Sequence, residues 1–108
     1  ADFEQLSLEL VAELQKLEPY GVGNEEPIFL LPEVRVIEAA KLGADGKHLR
    51  LTVWDQNGKS LKLIQFYAPE EYLKLRGGET INAWITLGEN EFRGLRSVEG
   101  RIVKLAVI

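Results

Sequence analysis

Hydrophobic and polar positions divide the chain into a short helical pattern and a long run of strand-like alternation. Phe3, Leu6, Leu10, Val11, Leu14 and Leu17 recur at three- and four-residue spacing, which places one apolar stripe on a helix. Asp2 followed by Gln5 has the spacing of a capping box, and Pro19 stops the pattern. Residues 1–18 are therefore expected to form an N-terminal helix with a docking face. Pro19-Tyr20-Gly21-Val22-Gly23-Asn24-Glu25-Glu26-Pro27 follows, and its glycines, Asn and prolines predict an ordered entry turn over 19–29. A phosphate-cradling loop is disfavoured there, because no Lys-Ser/Thr follows and no helix opens.

Residues 30–108 read as strands. Leu30 to Leu42 is rich in β-branched residues, and its alternation slips at Val36-Ile37, which predicts a bulge or sharp bend. Lys47 to Asp55 alternates cleanly, with Leu49, Leu51 and Val53 on one face and His48, Arg50, Thr52 and Trp54 on the other. Asn57-Gly58 signals a hairpin into a strand from Ser60 to Tyr67. Pro69 to Leu75 predicts a short helix ended by Gly77-Gly78. Glu79 to Leu87 alternates again, with Trp84 on its polar face. Gly88 to Gly94 reads as a loop, and Leu95 to Ile108 as the last strand. Three strands, a short helix and two strands predict a mainly-β, five-stranded OB-type barrel, with an SH3-like barrel as the alternative.

Composition narrows the class. At 108 residues, 45% hydrophobic and 28% charged, the chain suits one globular domain with one core. The absence of cysteine removes disulfides, thiolate chemistry and Cys-based zinc sites, and it leans the expected location toward the cytoplasm. No apolar run approaches the roughly 18 residues that span a bilayer. Ala1 and the absence of methionine predict a segment of a longer protein. The net charge of −4 conceals an asymmetry: residues 1–33 hold eight acids and one base, net −7, whereas residues 34–108 hold nine acids and twelve bases, net +3.

Catalytic chemistry is absent from the pattern. A single His allows neither a His-His metal pair nor a defensible Ser-His-Asp set, and the carboxylates show no metal-ligand spacing. What remains is a binding surface. His48, Arg50 and Trp54 share one face of the second strand, which Lys47 opens; Trp84 faces outward on the fourth; Phe92, Arg93 and Arg96 flank the last loop; Arg101 follows. OB barrels bind oligonucleotides across strands two and three and the loops beside them. Single strands are held by aromatic stacking and by cations on phosphates. The competing reading has Trp54 and Trp84 covered by the helix or another domain, Arg50 and Arg101 paired with acids, and Phe92 packed on the barrel.

Leu14 to Phe29 resembles the segment L-x-x-L-x-P-[FY]-G-x-G-N-x-x-P-x-F of the RecJ single-stranded-DNA exonuclease family. Gly46-Lys47-His48-Leu49-Arg50-Leu51 is similar to that family's G-K-H-L-K-L strand, Ile64-Gln65-Phe66 to its A-I-x-F strand, and Asn90-Glu91-Phe92-Arg93-Gly94 to its N-x-[WF]-x-G loop. Glu99 departs from it, standing where the family has Gln, so it cannot donate a hydrogen bond to DNA as an amide would. The resemblance implies an OB module of a 5′→3′ single-stranded-DNA exonuclease acting in recombination and repair. It implies that the nuclease core, with its Mg²⁺ or Mn²⁺, lies outside this chain, and that the chain itself has no cofactor. It further implies contacts to single-stranded DNA from Lys47, His48, Arg50, Phe92, Arg93 and Arg96, loop shaping by Asn90 and Gly94, and an entry turn, fixed by Gly21, Gly23 and Asn24, that docks the barrel. The expected partners are single-stranded DNA, the nuclease core of the same parent chain and another repair protein. The alternative function is a structural barrel that positions the core or recruits such a partner.

Overall fold

The computed structural model describes Phe3 and residues 6–108. Its elements are α1 (Leu8–Gln15), β1 (Phe29–Leu42), β2 (His48–Trp54), β3 (Ser60–Gln65), α2 (Glu70–Leu73), β4 (Thr80–Phe92) and β5 (Leu95–Val107). The strands close into a barrel in the order β1-β2-β3-β5-β4. All neighbours are antiparallel except β3 and β5, whose parallel register Lys62↔Glu99, Leu63↔Gly100, Ile64↔Arg101 seals the barrel. This is the OB arrangement, with the short helix between the third and fourth strands.

The alternation read from the sequence becomes an inside and an outside. Leu49, Leu51 and Val53 of β2 meet Leu63 of β3, Ile81 and Ile85 of β4, and Leu31 and Val36 of β1 in a core closed to solvent. The predicted slip is a bulge at Ile37, since Val36 pairs with Val53 and Glu38 with Thr52. Space inside is tight enough to fix residue type. A Cβ on Gly100 would stand 2.5 Å from Leu63 Cδ2 and 2.9 Å from Ile85 Cδ1.

Three of the differences from the expected boundaries have a physical cause in the structure. First, the helix is shorter than the stripe from Phe3 to Leu17. It starts at Leu8 because the Ser7 hydroxyl accepts the Leu10 N–H at 3.1 Å and caps it; the expected capping box of Asp2 and Gln5 lies outside the described residues. Phe3, Leu6 and Val11 are buried, while Leu17 is exposed beyond the helix end. Second, β3 stops at Gln65, since Tyr67 adopts φ 53° and turns the chain away from the sheet.

Third, residues 88–92 are strand rather than loop. They lack apolar alternation, but β5 pairs with them from Gly88↔Glu99 to Phe92↔Leu95. Arg93 (φ 52°) and Gly94 (φ 79°) make the two-residue turn, both in the left-handed region that matches the twist of a tight hairpin.

Candidate nucleic-acid interface

The outer face of β2 and β3 runs the length of the barrel between two loops. The β1–β2 loop lies where β2 begins and β3 ends. The β4–β5 turn lies at the other end, because β2 and β4 both run antiparallel to β1. Seven residues of β2 separate the ends by about 20 Å at ~3.3 Å per residue. Each predicted side chain can be placed on this frame.

At the β1–β2 end, Lys47 is exposed and its ammonium lies 4.0 Å from Asp45. His48 is half-buried and organises the corner. Its Nδ1 accepts the Tyr67 N–H at 3.1 Å, so the ring proton belongs on Nε2. The ring stands edge-on to Phe66 (centroids 5.2 Å apart, 73°) and to Tyr67 (4.9 Å, 82°). Phe66 and Tyr67 are 64% and 76% exposed, so two rings braced by one imidazole present apolar faces to water. Beside them a cavity of about 460 Å³ is lined by Asp45, Lys47, Tyr67, Glu70 and Leu73. Sequence reading missed both rings as site residues. The available signal was the broken alternation at Phe66-Tyr67, which put two aromatics in succession at a strand end.

The middle of the face is cationic but salted with acids. Arg50 sits opposite Ile64 and lies 4.0 Å from Glu38. Thr52 pairs with Lys62, a third missed residue, and Lys62 pairs across the seam with Glu99. The acid that departs from the family pattern thus stands beside a lysine at the centre of the face. At the far end Trp54 is 45% exposed, so α1 does not cover it. The hairpin tip carries exposed Phe92, with the Arg93 guanidinium 5.2 Å from its ring centroid. Leu95, cross-strand from Phe92, is exposed as well.

Other predicted residues stand elsewhere. Trp84 lies on β4 between Leu30 and Lys104, separated from β2 by β1 and from β3 by β5, and Lys104 Nζ sits 5.2 Å from its ring centroid. Arg96 is engaged by Glu89: its Nε and Nη2 donate to the two carboxylate oxygens, the second at 2.9 Å. That hydrogen-bonded pair lowers the Glu89 pKa and raises that of Arg96. Arg101 shares the outward row of Arg50 and Ile64, but its guanidinium lies over Gly88. There it lines a cavity of about 120 Å³ with Leu14, Glu18, Tyr20, Glu26 and Glu89. Burial, with Glu26 and Glu18 nearby, raises the Tyr20 pKa.

Among the loop-shaping residues, Asn24 Nδ2 donates to the Leu17 carbonyl and, at 3.1 Å, to that of Pro19. Gly23 has φ 82°, and Gly94 supplies the hairpin turn, while Asn90 is exposed on β4 opposite Ser97. No group of three His, Cys, Asp or Glu side chains among the described residues is placed to hold a metal ion. No helix among them is long and apolar enough to cross a membrane.

Fold and face together define an OB-fold module with an open outer surface on β2 and β3, aromatic at both ends and basic between. The particular family follows from comparison: the RecJ OB domain model matches residues 1–104, and the chain belongs to that family. The chain is similar to the single-stranded-DNA-specific exonuclease RecJ of Bacillus subtilis, 24% identical over 88 residues, which is 75% of this chain and 11% of that protein. Two crystal structures of RecJ from Thermus thermophilus, with Mg²⁺ and with Mn²⁺, superpose with TM-scores of 0.66 and 0.68 at 31% and 32% identity. They match over 90% and 91% of this chain but 14% and 13% of theirs. The yeast mitochondrial single-stranded-DNA-binding protein Rim1 shares the fold, with a TM-score of 0.58 at 10% identity over 78% of this chain and 95% of Rim1. The chain therefore spans well under a fifth of the RecJ proteins it matches.

Proposed function

We propose that this domain holds single-stranded DNA along the outer face of β2 and β3 for the nuclease core of a larger RecJ-like exonuclease. In this reading the parent protein degrades single strands 5′→3′ in the cytoplasm during recombination and repair. Mg²⁺ or Mn²⁺ acts in that core, with no ligand from this chain. The observation that carries the reading is exposed rings and cations at both ends of one face: Phe66 and Tyr67, braced by His48, at the end where Lys47 opens β2, and Trp54 at the other end with Phe92, whose ring lies under Arg93. Rings stack on bases without regard to sequence, at about 1–3 kcal/mol per base. Glu38, Asp45 and Glu99 offset part of the basic potential, so binding is weak and salt-sensitive.

Fluorescence anisotropy of labelled oligo-dT tests this. Binding is expected at low salt, with affinity falling roughly fivefold or more when Phe92 or Tyr67 is replaced by Ala. An unchanged anisotropy at low salt up to high micromolar protein contradicts the proposal. Tryptophan emission adds a positional check: Trp54→Phe removes DNA-induced quenching, whereas Trp84→Phe leaves it in place.

A further inference from the structure

The centre of the β2–β3 face carries a hydrogen-bond donor and an acceptor side by side. Lys62 and Glu99 are register partners on the parallel strands β3 and β5, and neighbouring strands lie about 4.8 Å apart. Both side chains point outward. Lys62 stands between the buried Leu61 and Leu63, and Glu99 precedes Gly100, whose Cβ direction runs into Leu63 and Ile85 of the core. Lys62 is exposed and Glu99 half-buried. Among the described residues neither side chain is engaged in a hydrogen bond or ion pair. On the other flank of Glu99 its β4 partner is Gly88, over which the Arg101 guanidinium lies. The Glu99 carboxylate is therefore open to a ligand, with a lysine at its side.

The chemistry of a carboxylate restricts what that ligand is. Glu99 only accepts hydrogen bonds and repels phosphate, so on a face that holds DNA its partner is a base edge that donates. Guanine presents two adjacent donors, N1–H and the N2 amine, beside the O6 acceptor. Two parallel N–H groups match the two oxygens of one carboxylate, and O6 next to them suits an ammonium. Adenine and cytosine each offer one amine beside an acceptor nitrogen, and thymine offers one N–H between two carbonyls. Each of these leaves one carboxylate oxygen without a base donor.

We infer that Lys62 and Glu99 form a guanine-reading site, with Glu99 accepting from N1–H and the N2 amine and Lys62 donating to O6. This rests on the reading of the β2–β3 face as a single-strand-binding surface, and it adds one base-specific position to a surface whose rings stack on any base. The place in the fold suits it. The row Thr52-Lys62-Glu99 crosses the face between the Phe66-Tyr67 corner and Trp54, where a strand held at both ends has to pass.

Anisotropy at low salt tests this with three labelled strands of equal length: oligo-dT, the same strand with guanine at every third position, and that strand with hypoxanthine, which lacks the N2 amine, in place of guanine. The guanine strand is expected to bind roughly fivefold or more tightly than oligo-dT, and hypoxanthine to lose most of that gain. Glu99→Gln is expected to abolish the guanine preference while oligo-dT binds as well or better, since a negative charge has left the face. The hypoxanthine arm needs no protein variant, so the test stands even where Glu99→Gln fails to fold. Equal affinity for the guanine and thymine strands overturns the inference, as does a preference that hypoxanthine or a folded Glu99→Gln leaves unchanged. Oligo-dT separates the two proposals: binding without guanine preference rejects the guanine site and keeps the DNA face, whereas no binding of any strand rejects both.

Discussion

Gly100 is a residue whose identity the barrel interior constrains. Its neighbours Leu63 and Ile85 leave no room for a methyl group, so Gly100→Ala overpacks the core where β3 and β5 meet. Urea unfolding is expected to show a loss of about 1–3 kcal/mol. Glu89 is constrained electrostatically. Its native pKa is lowered by the Arg96 hydrogen bonds, so the pair favours the folded state above the ordinary carboxylate range and loses that effect as pH falls through the lowered value. A carboxyl titration followed by NMR should place Glu89 below the other exposed glutamates, and Arg96→Ala should return it to their range. These constraints were only partly legible beforehand. The sequence marks Gly100 as a glycine in a strand and Arg96 as a base near a loop. Neither the Leu63 contact, 37 positions away, nor the carboxylate seven positions away follows from local pattern.

At the scale of elements, the strands with clean alternation were readable because each has one dry face and one wet one. β2 is the clearest case, since His48, Arg50, Thr52 and Trp54 all lie outside the core as their spacing requires. The β4–β5 hairpin was not readable to its end, because residues 88–92 form a ladder through pairing with β5 rather than by burying alternate side chains. Its tip depends on left-handed backbone at Arg93 and Gly94. Gly94→Val is therefore expected to destabilise the domain by roughly 1 kcal/mol or more and to weaken DNA binding by loosening Phe92. Thermal unfolding and anisotropy on the same protein check both effects. The helix shows the opposite error, an apolar stripe that outruns the element. Phe3 and Leu6 are buried ahead of the Ser7 cap, and Leu17 lies past the helix end. Ser7→Ala should cost about 1 kcal/mol, read by chemical denaturation.

At the scale of the molecule, the acidic and basic portions of the chain fold to different places. Glu9, Glu13, Glu18, Glu25 and Glu26 lie on α1 and the segment that follows it, against the β4 and β5 side of the barrel. The bases of the remainder include Lys47, Arg50, Lys62 and Arg93, spread along the opposite β2–β3 face and its ends. The charge split was visible in the sequence, but its spatial meaning needed the closed strand order, which moves Trp84 and the Arg101 guanidinium away from the face that Trp54 and Arg50 share. The measurement that bears most directly on this account is a backbone amide NMR titration of the domain with unlabelled oligo-dT at low salt. Shifts should concentrate at Lys47, His48, Arg50, Phe66, Tyr67, Phe92 and Arg93, fade as salt is raised, and leave Val11, Tyr20 and Val22 in place. Shifts centred on the entry turn and α1, or none at all at millimolar oligonucleotide, would contradict it.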